Sequence, residues 1–132
     1  MKINFLLVLS VRQQDIYQML LILCHEKFHA YQYQNMGRDP YALYSHSSNI
    51  EVEAYYFEYK VAVGAGHLNA FGECHGPTLY LALRDYDAAL TKNNRAEIDA
   101  AYKTLLNIMD KRGYENPGKD ACFNYTRNIN NL

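Results

Sequence analysis

Apolar residues crowd the stretch "IYQMLLILCHEKFHA", Ile16 to Ala30, and leave almost no continuous polar face when it is wound as a helix. No Gly or Pro interrupts residues 13–34, so the pattern predicts a central helix covered on several sides. Before it, residues 3–10 form a short apolar run that reads as a β-strand. After it, "NMGRDP" stops the helix with Gly, Asp and Pro, and a polar, tyrosine-dotted loop follows. Ser48 or Asn49 is placed to cap a second helix over residues 50–63. "GAGHLNAFGECHGP", with four glycines and a proline, reads as a long connection. Two more helices are expected over residues 78–90 and 95–111, the latter marked by Ala96, Ala100, Leu105 and Met109 at helical spacing. The asparagine-rich tail from Gly113 is irregular. The expected fold class is mainly α, α+β at most, with a minimal N-terminal strand or sheet.

At 132 residues the chain is expected to form a single domain, residues 1–132, large enough to bury a core without a metal or disulfides. Its 13 basic and 14 acidic residues nearly cancel, with neither sign concentrated in one segment. No electrostatic argument points to nucleic acid or an anionic membrane, and a small or peptidic ligand is the expected partner. No run reaches the ~20 apolar residues of a membrane span. "MKINFLLVLS" is too short in its apolar part for a signal peptide, so a cytoplasmic location is the expectation. Of the three cysteines, Cys24 reads as a small apolar residue, while Cys74 and Cys122 fall in loop-like contexts where they either pair or stay reduced.

Chemistry enters at "HEKFH". A spacing of four puts His25 and His29 on one helix face with Cβ atoms roughly 6 Å apart, so both imidazoles can reach one ion. Zinc takes nitrogen ligands at ~2.0 Å, and catalytic sites keep three protein ligands and a water. Glu26 follows His25 by about 100° of rotation, which sets its carboxylate beside such an ion rather than on it. A general base that takes the water's proton and returns it to a leaving amine belongs there. By this chain's composition the motif arises by chance about once in a hundred such sequences, so its helical setting has to add weight.

In "HEKFH" followed by "NIEVEAYYFE", the chain resembles the zincin metallopeptidases, in the gluzincin arrangement of an HExxH helix, a loop and a second helix that supplies a glutamate. "EVEA" is similar to the glutamate-x-x-alanine element of such second helices. The resemblance implies a small zincin-like helical domain that binds one Zn2+ through His25, His29 and Glu51, with Glu26 as general base and Ala54 letting the helices approach. Glu53 is the alternative to Glu51; the two stand about 200° apart around a helix, so only one can face the ion. The implied activity is zinc metallopeptidase hydrolysis of peptide bonds, with a peptide or protein substrate as partner. Where such second helices often carry Asp or Asn four residues after the ligand, to hold a histidine, this chain has Tyr55. It also has room for one clear strand before the motif, so the substrate groove falls to the loops of residues 35–49 and 64–77.

Several side chains are candidates to donate to the oxyanion of a carbonyl held at such a site: His46, His67, His75, Tyr31, Tyr44 and Tyr55. The alternative function is a non-catalytic zinc-binding helical interaction domain derived from a zincin. Such a domain would keep the ion for stability alone.

Overall fold

The computed structural model describes residues 12–115. Among them are six helices: α1 (Gln13–Met36), α2 (Arg38–Tyr44), α3 (Ser48–Ala65), α4 (Leu68–His75), α5 (Pro77–Lys92) and α6 (Arg95–Lys111). The fold is mainly α. The expected strand of residues 3–10, the tail beyond Glu115 and Cys122 lie outside the described residues.

Local chemistry sets the helix ends. Gly37 closes α1 with φ 85° and ψ 164°, its N–H donating to the Tyr33 carbonyl, a backbone region that is nearly glycine's alone. The tyrosine-dotted loop expected next holds a short helix, α2. Pro40 sits in its first turn, where a missing N–H costs nothing, and Asp39 complements the helix dipole there. Ser47 caps α3, one residue before the two expected caps, its hydroxyl oxygen accepting from the Ile50 N–H at 3.4 Å.

The glycine-rich connection is also corrected. It contains α4, whose Ala70 and Phe71 are buried, and the glycines at its two ends act as punctuation. Gly66, with φ 75°, ends α3; Gly76, with φ 88° and ψ 162°, ends α4 and starts α5, where Pro77 takes the first position. Asn94 caps α6 by accepting from the Glu97 N–H at 3.2 Å, and α6 spans the expected residues.

The helix covered on several sides is α3 rather than α1. Ile50, Val52, Ala54, Tyr56 and Ala62 are all at 0% exposure, with α1, α4, α5 and α6 packed around them. The α1 helix buries only one stripe, Leu21, His25, Phe28 and Gln32, at the three- and four-residue spacing of a single face. Ile16, Met19, Leu20 and Leu23 face outward. Polar residues thus occupy half of the buried stripe, which is the first structural sign of a site. Among the described residues no helix is long and apolar enough to cross a membrane.

One parallel bridge joins Ser47 to Glu115. The Ser48 N–H donates to the Glu115 carbonyl at 2.6 Å and the Glu115 N–H to the His46 carbonyl at 2.9 Å. The segment after α6 is thereby fastened to the start of α3, the helix that carries Glu51.

Candidate metal centre

The α1–α3 contact brings His25, His29 and Glu51 together, with ligand atoms all within 4.8 Å of one another. His25 Nε2 lies 3.0 Å from Glu51 Oε2, and His29 Nε2 lies 3.1 Å from Glu51 Oε1. One carboxylate therefore spans both imidazoles. Two donors on a tetrahedral zinc stand roughly 3.3 Å apart, close to the two His–Glu separations, and the cluster offers the two nitrogens and the oxygen that a small divalent ion takes. This group could hold a metal ion. Glu53 is buried as well but is not part of the group, as expected of a residue about 200° further around α3.

Electrostatics tie the three together. Burial alone would raise the Glu51 carboxyl, but hydrogen bonds from His25 and His29 and their positive charge outweigh it and bring it from 4.5 down to about 2. Burial opposes the charged form of His29, yet the hydrogen bond and charge of Glu51, then Gln32 and the Glu26 charge, hold its pKa above the ordinary 6.5.

Gln32, which the sequence did not single out, fixes the second ligand. Its Nε2 donates to the Ile50 carbonyl at 3.0 Å, so its Oε1, 2.8 Å from His29 Nδ1, must accept from that ring nitrogen. With Nδ1 as the donor, the neutral His29 ring keeps its lone pair on Nε2, the atom turned to Glu51. The only hint was position: Gln32 lies three residues after His29, on the same face.

Glu26 lies outside the ligand group and is exposed. Its charge nevertheless raises His29 and the phenols of Tyr41 and Tyr114, both of which are raised first by burial and then by Glu51. These two tyrosines were not among the expected donors. Tyr41 comes from α2 and Tyr114 from the segment bridged to α3.

The expected donors are dispersed. Tyr55 sets its ring edge against His25 at 4.4 Å, and burial pushes its phenol up to about 12. His67 stacks on Tyr17 at 3.6 Å where α4 begins, His46 is exposed, and Tyr31 packs against Phe28 at 5.5 Å. Tyr44 ends α2. His75 lies on the other side of His25, against Glu58. Cys24 and Cys74 are free, half-buried thiols.

Comparison with protein-family models, curated proteins and solved structures finds no match. Any family reading therefore stands on the motif and the geometry alone.

Proposed function

We propose that this chain is a zincin-like zinc peptidase, with His25, His29 and Glu51 as ligands and Glu26 as general base. The observation that carries the reading is the convergence of three buried or half-buried donors from two helices, N, N and O, with an exposed carboxylate beside them. That donor set, short of a fourth protein ligand, is the composition of an open zinc site.

A bound zinc ion would supply acidification of a water molecule and polarisation of a carbonyl. The protein's own residues do the rest. His25 and His29 present Nε2, Gln32 keeps His29 in the tautomer that can ligate, and Glu51 closes the site from α3. Glu26, in contact with solvent, is the carboxylate that would take a proton from an activated water and return it to a leaving amine. Tyr41 and Tyr114, whose phenols feel the Glu51 charge, keep their hydrogens and are neutral donors available to a developing oxyanion.

A second reading, the non-catalytic zinc-binding domain, is favoured by one observation: among the described residues no strand lies beside the site to pair with an extended substrate. Glu26→Gln separates the two. Purified protein is expected to hold one equivalent of zinc and to cleave an unstructured peptide library, while Glu26→Gln keeps the zinc and loses cleavage. Zinc bound without cleavage by wild type supports the scaffold reading. No stoichiometric zinc, or undiminished zinc in His25→Ala, overturns both.

A further inference from the structure

Behind His25, on the side away from Glu51, four buried polar atoms lack any well-formed hydrogen bond: His25 Nδ1, both Glu58 carboxylate oxygens and His75 Nε2. They face one another. His25 Nδ1 is 3.7 Å from Glu58 Oε1, about 0.5 Å beyond hydrogen-bond range, and His75 Nε2 contacts Glu58 Oε2. Glu58 is at 0% exposure, and a buried carboxylate is tolerated only with a charged or hydrogen-bonded partner. The two histidines are the partners at hand.

From this geometry we infer that Glu58 and His75 are positioning residues for the metal centre, forming a buried chain His75–Glu58–His25 that holds the His25 Nε2 toward the ion. The inference rests on the metal-centre reading. Glu58 follows Glu51 by seven residues, two turns along the same face of α3, so one helix supplies both a ligand and the carboxylate behind another ligand. It takes the place left by Tyr55, one turn after Glu51, whose ring instead packs edge-on against His25 at 4.4 Å and His75 at 5.1 Å. An Nδ1–H directed at a carboxylate leaves the lone pair on Nε2 and makes the ring a better ligand. His75 is itself held: Phe71 packs on its ring at 4.8 Å, and Arg112 donates to its carbonyl at 3.2 Å. Thus α4, which offers no ligand, acts on the site through Glu58.

The test is a zinc titration against a chromophoric chelator, with NMR of the His25 Nδ1–H in zinc-loaded protein, where ligation through Nε2 leaves the ring proton on Nδ1 and its shift reports the bond to Glu58. Glu58→Gln is expected to weaken zinc binding about 10- to 100-fold and to move the His25 Nδ1–H resonance upfield. His75→Gln shifts both readouts the same way but less, Glu58→Asp restores part of the affinity, and the double variant adds nothing to Glu58→Gln, as for residues acting in one chain. Wild-type affinity in folded Glu58→Gln, or single effects that simply sum, overturns the inference. Should Glu58→Gln not fold, Glu58→Asp and His75→Gln carry the same two measurements. If wild type binds no zinc, the metal reading fails and this inference with it; zinc held equally by wild type and folded Glu58→Gln overturns this inference alone.

Discussion

Gln32 shows how much one side chain settles. Bound to the Ile50 carbonyl at one end, it leaves its oxygen for His29 and fixes that ring's tautomer. Gln32→Leu, close in volume but without polar atoms, is expected to weaken zinc binding about 10- to 100-fold. It is also expected to destabilise the metal-free protein by about 1–3 kcal/mol, because the Ile50 carbonyl loses its buried partner. Chelator competition and denaturant melts read the two effects separately. The coupled pKa values add a pH signature. The raised His29 contributes stability that is full below its ordinary 6.5 and is lost as pH rises through its higher folded value. Glu51 contributes stability present above 4.5 and lost as pH falls toward about 2. The cluster therefore stabilises metal-free protein most between pH 4.5 and 6.5, to be checked by melts in chelator at pH 3, 5.5 and 8.5. Zinc runs the other way above pH 6, since its ligands must shed protons, so the thermal shift it produces grows from pH 6 to 8. The histidine pair was legible because helical periodicity fixes which side chains share a face. Gln32 and Glu58 were not, because a polar residue on a helix gives no sign of being buried until the partner helix is in place.

At the scale of elements, the sequence reading was right about long helices and wrong about short ones. Periodicity over α1, α3, α5 and α6 spans several turns, whereas α2 and α4 have two turns each and are bounded by the very residues that signal loops. Glycine and proline there mark ends rather than absence of structure. Gly72 and Gly76 separate the two roles. An added Cβ meets nothing within 4 Å at either position, but Gly76 has φ 88° while Gly72 is helical. Gly72→Ala is expected to stabilise by about 0.5–1 kcal/mol, because it removes unfolded-state freedom. Gly76→Ala is expected to cost about 1–3 kcal/mol from backbone strain and, by shifting His75, to weaken zinc binding as well. Equilibrium unfolding of the two variants in chelator gives the signs directly.

In the molecule as a whole the ligands are distributed unevenly. All three come from α1 and α3, while α5 and α6 pair with each other and close the core on α3 through Leu79, Leu83, Leu105 and Met109. An ion at the site would therefore staple α1 to α3 and leave the α5–α6 hairpin untouched. Hydrogen exchange is expected to slow on adding zinc in α1 and α3, with little change in α6; equal protection everywhere would place the ion's effect on global unfolding instead. The mainly α character was legible from periodicity. The central place of α3 was not: α1 carries the unbroken apolar run of residues 19–24, yet Met19, Leu20 and Leu23 stay outside, and only packing reveals which apolar residues are covered.

The bridge between Ser47 and Glu115 links residues 68 apart in sequence. On a chain growing from its N-terminus, His25, His29 and Glu51 emerge long before the segment that fastens the start of α3. Closing so long a loop comes late among folding events. Until residue 115 has docked, the helix that brings Glu51 to the two histidines lacks the anchor at its start.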